Sequence, residues 1–277
     1  MSIVVITGCS TGIGHALAAA FAAHGDTVVA TARNPDTLAD LAEAGCDTLA
    51  LDVTDEVAVE QCLREIGAHH GRIDILVNNA GLATMGPVAE IPAEQVRRQF
   101  ETNVVAPLTV TQKALPLLRR AGHPMVVNMG SVSGILTTPF AGPYCASKAA
   151  LHKLSDALRL ELAPFGVRVV TVQPGGVSSK LGDNAAAQID GWLTEDSAYA
   201  PLRKAIYGRA RAQQKGAMPA ADFARELVAA LHRPRPRNVI RLGTGSRLLP
   251  FLQRWVPIPR RDRMLKRRFG LLDWKPD

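Results

Sequence analysis

The chain has 277 residues, 47% of them hydrophobic, and a formal charge of +7 at pH 7. This length and composition suit one large α/β domain, and no apolar segment reaches the ~18 residues of a membrane span. The four cysteines form no C-x-x-C pair and no histidine lies in a ligand pattern, so we expect reduced thiols and no metal. A strand directly at the N-terminus leaves no room for a signal peptide, which predicts a cytoplasmic protein.

Short apolar segments alternate with helical segments along the chain. This alternation is typical of a parallel sheet with right-handed crossovers and helices on both faces. We therefore predict a single α/β domain over residues 1–277, a Rossmann-type doubly wound sheet of about seven strands. The strands are predicted at residues 3–7, 27–31, 48–51, 74–78, 125–129, 167–172 and 238–242.

A glycine-rich turn follows the first predicted strand. Gly8, Gly12 and Gly14 lie between SIVVITG and the helical segment HALAAAFAAHG, which ends at Gly25. Glycines allow the backbone to approach a pyrophosphate, and the helix N-terminus offers it N–H groups and partial positive charge. The spacing differs from the common G-x-G-x-x-G, and a structural turn is the alternative. The position between a strand and a helix favours a dinucleotide site.

The end of the second predicted strand indicates which dinucleotide is bound. NAD sites typically have an acidic residue there, which bonds the ribose 2′-hydroxyl. This chain has Ala32 followed by Arg33. An arginine can form charge-assisted bonds with a 2′-phosphate, so we predict NADP(H), with a solvated loop charge as the alternative role of Arg33.

Tyr144 and Lys148 lie four residues apart in PYCASK, downstream of Ser131. Residues at this spacing share one face of a helix. A lysine ammonium favours the phenolate of such a tyrosine and lowers its pKa, so that the phenol can exchange a proton with a carbonyl or alcohol oxygen. Such pairs are more often surface pairs. Together with a cofactor that carries a hydride, however, this one predicts carbonyl reduction or its reverse.

Several motifs occur in order along the chain. They are TGCSTGIG (7–14), LDVTD (51–55), NNAG (78–81), Asn103, Ser131, YCASK (144–148) and PGGV (174–177). Together they resemble the short-chain dehydrogenase/reductase family, with agreement over about residues 3–180. Within it, the TGCS opening and the TAR strand end are similar to the hydroxysteroid, retinol and acyl-dihydroxyacetone-phosphate reductases, which mostly prefer NADPH and act on lipophilic substrates.

The resemblance implies a role for each motif residue. Ser131 would bond the substrate carbonyl, Tyr144 would be the general acid or base, Lys148 would bond the ribose and Asn103 would hold a relay water. Ser179 stands where the family usually has threonine, with Ser178 as the alternative. The implied cofactor contacts are Gly8, Ser10, Thr11, Gly12, Ile13, Gly14, Arg33, Asp52, Val53, Asn79, Ala80, Gly81, Tyr144, Lys148, Pro174, Gly175, Val177 and Ser179.

Two regions lie outside the motifs. In the family, the segment corresponding to residues 180–217 closes over the substrate. The C-terminal extension, residues 243–277, belongs to a basic stretch: residues 233–277 carry 13 Lys/Arg against 3 acids, a charge of +10 that leaves −3 for the rest. The extension also contains aromatic and aliphatic residues, and we expect both regions to form the walls of an apolar pocket. Packing on its own domain, contact with an anionic membrane surface and docking of an acidic carrier protein remain open for the extension. Nucleic acid is not expected, because no recognition motif accompanies the charge.

We therefore expect an NADPH-dependent enzyme that interconverts a ketone and a secondary alcohol on a small lipophilic substrate. A 3-oxoacyl-carrier-protein reductase and a non-catalytic NADP-sensing protein are the alternatives. The resemblance implies a homodimer or homotetramer through the helices at 104–118 and 144–162. The long extension favours the dimer, since it could block the second interface.

Overall fold

The computed structural model describes residues 1–212 and 216–275. One parallel sheet of seven strands runs through the domain in the order β3-β2-β1-β4-β5-β6-β7. The strands are β1 (Ile3–Ile6), β2 (Thr27–Ala32), β3 (Asp47–Ala50), β4 (Ile75–Asn78), β5 (Met125–Met129), β6 (Arg168–Val172) and β7 (Val239–Ile240). The doubly wound fold and all strand positions are thus as predicted, although β7 is shorter because it is an edge strand that pairs only with β6.

Helices cover both faces of the sheet. The first set is α1 (Gly12–His24), α2 (Ala39–Glu43), α3 (Glu56–His70), α4 (Ala93–Phe100), α5 (Ala106–Leu118) and α6 (Gly142–Glu161). The second is α7 (Leu181–Ala186), α8 (Arg203–Ala210), α9 (Ala220–Leu231), α10 (Leu248–Trp255) and α11 (Ile258–Arg268). A π-helical turn, Glu101–Val105, joins α4 to α5.

Neighbouring side chains of each strand enter two different cores, because successive residues of a strand point to opposite faces. In β1, Val4 and Ile6 face the core beneath α1, α2 and α9, whereas Val5 faces the core beneath α3, α5 and α6. Phe21 of α1 and Phe223 of α9 are fully buried in the first core. Each contributes about 1.5–3 kcal/mol through burial alone.

A third apolar cluster lies beside the sheet and joins the segment after β6 to the C-terminal extension. Phe140 is at its centre, with ring centroids 6.2 Å from Phe269 and 6.4 Å from Tyr199. Phe269 and Leu265 of the extension are buried in this cluster. The extension therefore packs on its own domain through α11 and the residues after it.

Helix α10 contrasts with α11, because it contains no buried residue. Leu248, Phe251 and Trp255 are 57%, 57% and 67% exposed, and Ile258 at the start of α11 is 62% exposed. Their spacing places the first three on one face of the helix. We call Leu248, Phe251, Trp255 and Ile258 the apolar patch.

In the part of the chain that the structure describes, no helix combines the length and apolar character needed to cross a membrane. Cys9, Cys46, Cys62 and Cys145 are all buried and carry free thiols. Burial raises the pKa of Cys9 to about 12 and that of Cys62 to about 11. These thiols are therefore protonated at neutral pH.

Candidate active site

A cleft of about 960 Å³ opens along the carboxyl ends of the strands. Turns after six strands, β1 to β6, contribute to its walls. Ligands of doubly wound sheets bind at this edge. Every predicted cofactor and catalytic residue lines this cleft except Asn103.

The turn after β1 is so tightly packed that it requires glycine. Gly12 has φ +65°, which favours glycine, and a β-carbon on Gly14 would lie 2.3 Å from the Gly8 carbonyl oxygen. The Asn79 side chain holds the turn by donating to the carbonyl oxygens of Thr7 and Gly8, at 2.9 and 3.0 Å. No side chain caps the N-terminus of α1. Because the first residues of α1 line the cleft, this uncapped N-terminus is suited to bind an anion.

Charged side chains of both signs line the end of the cleft next to β2 and β3: Arg33, Arg97 and Arg98 lie there with Asp52, Glu94 and Glu101, and Arg97 pairs with Glu94. Asp52 accepts hydrogen bonds from Thr54 N and Oγ1 at 2.9 and 2.7 Å. Partial burial acts to raise the pKa of Asp52, but the Thr54 bonds and the charges of Arg33 and Arg98 outweigh it and the net pKa is lowered. Arg97 and Arg98 of α4 also line the cleft, which the motifs did not indicate.

Tyr144 and Lys148 form the centre of the cleft. Pro143 occupies the first turn of α6, a position that proline favours, and this start places Tyr144 near the positive end of the helix dipole. Tyr144 and Lys148 are only 4% and 6% exposed. Lys148 Nζ lies 6.0 Å from the Tyr144 ring centroid and donates to the Met129 carbonyl oxygen at 2.7 Å. Burial lowers the pKa of Lys148 to about 8.

His152 supports Ser131 and was not identified from the sequence. It lies one helical turn after Lys148, and its Nε2 accepts a hydrogen bond from Ser131 N at 3.3 Å. Burial and the nearby Lys148 lower the pKa of His152 to about 4, so the ring is neutral and can accept. β-carbons on Gly130 and Gly134 would lie within 2.3 and 2.7 Å of this ring. In the sequence, the position of His152 four residues after Lys148, on the same face of a helix, could have indicated it.

Asn103 is fully buried behind the cleft, in the π-helical turn. Its Oδ1 accepts from Leu82 N at 2.9 Å, and its Nδ2 donates to the Leu82 carbonyl oxygen at 2.9 Å and to Ser147 Oγ at 3.2 Å. The side chain therefore fixes the backbone of Leu82, which itself lines the cleft. The other predicted catalytic residues line the cleft, whereas Asn103 does not. The order of motifs could not show this, because the direction of the Asn103 side chain depends on the π-helical turn.

The segment after β6 closes the cleft on the side of Tyr144 and Ser131. Ser179 lines it, and a β-carbon on Gly12 would lie 3.0 Å from Ser179 Cβ, whereas Ser178 N donates to the Met218 carbonyl oxygen. This geometry favours Ser179 over Ser178.

Residues from Lys180 to Gln188 contribute further lining of the cleft. Residues 213–215 of the predicted 180–217 loop region and residues 276–277 of the extension lie outside the described residues.

Arg209 of α8 is a buried cation close to Tyr144 and Cys145. It is 5% exposed, and its Nε donates to Thr138 Oγ1 at 2.7 Å. Burial lowers the pKa of Arg209, while the neighbouring Cys145 and Tyr144 act in the opposite direction. A cation here favours negative charge on Tyr144. The sequence did not indicate this, since Arg209 is one of many basic residues.

The expectation that the extension forms a wall of the substrate pocket stays a prediction, because the extension lies away from the main cleft. None of its described residues line that cleft. They line a second cavity of about 490 Å³ beyond Phe140, together with residues from Ile135 to Phe140. Burial of Leu265 and Phe269 in the third cluster holds the extension beside this second cavity and away from the main cleft.

The sequence profile described as short chain dehydrogenase matches residues 2–190. The chain is 37% identical over 271 residues to a short-chain dehydrogenase/reductase of Pestalotiopsis microspora, covering 97% of this chain and 94% of the relative. It is 38% identical over 206 residues to the NADPH-dependent 1-acyldihydroxyacetone phosphate reductase of Schizosaccharomyces pombe, covering 73% and 69%. The crystal structure of a short-chain dehydrogenase from Streptomyces avermitilis superimposes with a TM-score of 0.79 at 31% identity, covering 98% of each chain.

The chain belongs to the short-chain dehydrogenase family. It is therefore an oxidoreductase of a family that uses NAD(P) and small-molecule substrates.

Proposed function

We propose that this protein is an NADPH-dependent reductase of lipophilic ketones, which also catalyses the reverse oxidation of secondary alcohols. The observation that carries the proposal is the placement of Tyr144 and Lys148 in the same cleft as Ser131 and the glycine turn. This arrangement offers a proton donor, a cation that supports it and a second hydroxyl, next to an anion site for a dinucleotide.

Each residue has a role that follows from its contacts. The nicotinamide cofactor supplies the hydride when it is bound. Tyr144 gives its phenolic proton to the developing alkoxide oxygen, and the Lys148 ammonium favours the resulting phenolate. Ser131 Oγ, which accepts from Ser133 N at 3.1 Å, keeps its own proton for the substrate oxygen. His152 holds the Ser131 backbone in place.

The choice of NADPH rests on charge. Arg33 follows Ala32 at the end of β2 and lines the cleft, with Arg98 near Asp52 on the same side. A 2′-phosphate gains charge-assisted bonds here, whereas no carboxylate at the strand end bonds a free 2′-hydroxyl. A relative whose name states NADPH dependence supports this choice.

A lipophilic substrate is supported by the third apolar cluster and the apolar patch. The cluster places aromatic residues near Tyr144, and a second, separate cavity lies between Phe140 and α11. One relative acts, by its name, on an acylated dihydroxyacetone phosphate. We infer that the apolar part of the substrate lies along this side.

We further propose that the apolar patch meets an anionic membrane surface. Exposed aromatic and aliphatic side chains flanked by cations are typical of interfacial helices, and Arg254 lies 5.4 Å above the Trp255 ring. Each nearby cation contributes about 1 kcal/mol at an anionic leaflet. An acidic carrier protein would use the charge but leave four exposed apolar side chains unexplained.

The test is turnover with NADPH and a panel of a ketosteroid, retinal, an acyl-dihydroxyacetone phosphate and a 3-oxoacyl thioester. Reduction of the ketosteroid or of the acyl-dihydroxyacetone phosphate supports the proposal, whereas reduction of retinal, an aldehyde, would extend it to primary alcohols. Preference for the thioester would favour a 3-oxoacyl-carrier-protein reductase, and NADPH binding without any turnover would favour a sensor.

Tyr144→Phe is expected to lower kcat about 10²–10⁴-fold, because it removes only the phenolic proton. NADPH affinity, measured by cofactor fluorescence, should stay close to that of the wild type. Tyr199→Phe is the matched control, since Tyr199 packs against Trp274 in the third cluster. A Tyr144→Phe protein that keeps more than about a tenth of kcat would rule out Tyr144 as the general acid.

Arg33→Ala should raise the KM for NADPH by about 10–150-fold, the value of one lost charge-assisted bond of roughly 1.5–3 kcal/mol. The KM for NADH serves as the internal control and should hardly change. Equal losses with both cofactors would show that Arg33 does not bind the 2′-phosphate.

A further inference from the structure

Two histidines and a buried aspartate meet at the amino-terminal edge of the sheet, opposite the cleft. His24 ends α1, Asp26 directly precedes β2 and His232 follows α9. Within residues 1–212 and 216–275, this is the one group of three or more His, Cys, Asp or Glu whose potential ligand atoms all lie within 4.8 Å of one another. The separation of His232 from the other two along the chain is why no ligand spacing was visible in the sequence.

Both imidazoles approach the same carboxylate oxygen. Asp26 Oδ2 lies 3.1 Å from His24 Nδ1 and 3.0 Å from His232 Nε2. The other oxygen, Oδ1, accepts from Ser2 N at 3.2 Å. The Asp26 side chain is 4% exposed, so its charge is held in a poorly solvated place. Such a carboxylate requires a cation or a donated proton.

The protonation of His232 leaves one nitrogen without a partner. Its Nδ1 lies 2.9 Å from the Val228 carbonyl oxygen, which can only accept, so Nδ1 carries the proton. In the neutral ring Nε2 then presents a lone pair. This atom is buried and forms no hydrogen bond, although it lies 3.0 Å from Asp26 Oδ2. A nitrogen lone pair this close to a carboxylate oxygen, without a hydrogen bond between them, is favourable only with a cation or a proton nearby.

We propose that His24, Asp26 and His232 bind a divalent transition-metal ion, for which Zn²⁺ is the best match. Two imidazoles and a carboxylate are typical zinc ligands at about 2.0–2.2 Å, and tetrahedral geometry at those lengths separates ligand atoms by roughly 3.4 Å. The distances of 3.0 and 3.1 Å are a few tenths of an ångström shorter than this, and the two imidazole rings stack with centroids 3.9 Å apart, so the half-exposed His24 ring must turn before both nitrogens point at one ion. The His24 side chain is 46% exposed, which leaves access for a water as the fourth ligand.

The role of this site is structural. It would join the ends of α1 and α9 to the start of β2, on the face of the sheet where these helices share a core. A ligand that binds the folded state alone stabilises it in proportion to the logarithm of its concentration. Zinc should therefore raise the unfolding temperature, with no group of the cleft involved.

The test uses metal-free full-length protein titrated with Zn²⁺ alone, followed by calorimetry and thermal unfolding. We expect a single ion per chain and a rise of roughly 5–10 °C in unfolding temperature at about 100 times the dissociation constant. Co²⁺ should give the intense visible absorption of a tetrahedral site. Absence of binding and of any thermal shift would overturn the proposal.

Matched variants locate the site. His24→Asn should weaken Zn²⁺ binding by about tenfold or more and remove most of the thermal shift, and because His24 is half exposed the variant should fold. His70→Asn is the control, since His70 Nε2 lies 3.0 Å from Asp47 Oδ2 in a pair that lacks a second histidine. Equal losses of Zn²⁺ affinity in the two variants would overturn the site. A difference in stability that depends on pH but not on Zn²⁺ would also overturn it, and would show that a proton, not a metal ion, lies between Asp26 and the histidines.

Discussion

Lys148 illustrates at the residue level how the cleft opposes stability. Burial lowers its pKa from 10.5 to about 8. Between these values the unfolded chain holds a proton that the folded chain has released, so the stability of the folded state rises as pH increases from about 8 to 10.5. Below pH 8 the folded protein keeps a buried charge at a cost of about 3 kcal/mol.

Lys148→Met should therefore remove this pH dependence. The variant loses the hydrogen bond to Met129 as well, so the measured quantity is how its difference in unfolding free energy from the wild type changes with pH. In cofactor-free protein we expect that difference to move by about 3 kcal/mol in favour of the wild type between pH 7 and 10.5. Chemical denaturation at several pH values measures it. Lys153→Met, at an exposed position of α6, is the control, and equal pH profiles of the two variants would contradict the expectation.

The sequence identified residues whose chemistry depends on local spacing. Gly12, Gly14, Tyr144 and Lys148 lie in short motifs that one strand–turn–helix unit or one helical turn brings together. Arg209 instead reaches its neighbours through tertiary packing. A single sequence does not show which of many cations becomes buried next to Tyr144.

Among elements, α10 and α11 show where composition was informative and where it was not. The sequence showed that the extension is basic and apolar, but three environments remained open for it. Packing of Leu265 and Phe269 assigns α11 to the domain, while α10 keeps the apolar patch exposed. The difference depends on which side chains of the extension enter the third cluster, and the prolines Pro250, Pro257 and Pro259 interrupt the helical periodicity that would have indicated this.

The double variant Phe251→Ser/Trp255→Ser should weaken binding to phosphatidylserine-containing vesicles by tenfold or more, since each buried aromatic side chain contributes about 1.5–3 kcal/mol. Vesicle co-sedimentation at low and high salt measures this, and salt should weaken the wild type further.

Phe165→Ser is the matched control for this surface. Phe165 is 49% exposed and Arg119 lies 5.1 Å above its ring, a pair that resembles Arg254 and Trp255. Thermal unfolding should verify that all variants are folded. If the wild-type protein does not bind anionic vesicles at low salt, the proposal that the apolar patch binds a membrane surface is wrong.

For the whole molecule, the alternation of strands and helices sufficed to predict the sheet, because parallel topology and crossover handedness leave few arrangements. The sequence determines the oligomeric state less well than the sheet. Members of the family are generally oligomeric, and we propose a homodimer through α5 and α6. Val105, in the π-helical turn before α5, and Leu160 of α6 are 43% and 66% exposed.

Leu160→Glu should shift the protein toward the monomer in light scattering at micromolar concentration, because a charge would enter an apolar interface. Val57→Glu, at a similarly exposed residue of α3, should leave the assembly unchanged. A wild-type monomer, or a Leu160→Glu protein with the wild-type mass, would contradict the proposed interface.

Phe140 connects the C-terminal extension to the segment between Ser131 and Tyr144. It has φ +65°, a conformation in which a phenylalanine is strained by about 1–3 kcal/mol. It lies between Ser131 and Tyr144 in the chain, and Phe269 presses against its ring. The extension therefore packs against a strained residue of the segment that connects Ser131 to Tyr144. We expect truncation of the extension to disturb this segment and to lower turnover, whereas changes in α10 should affect the proposed membrane contact alone.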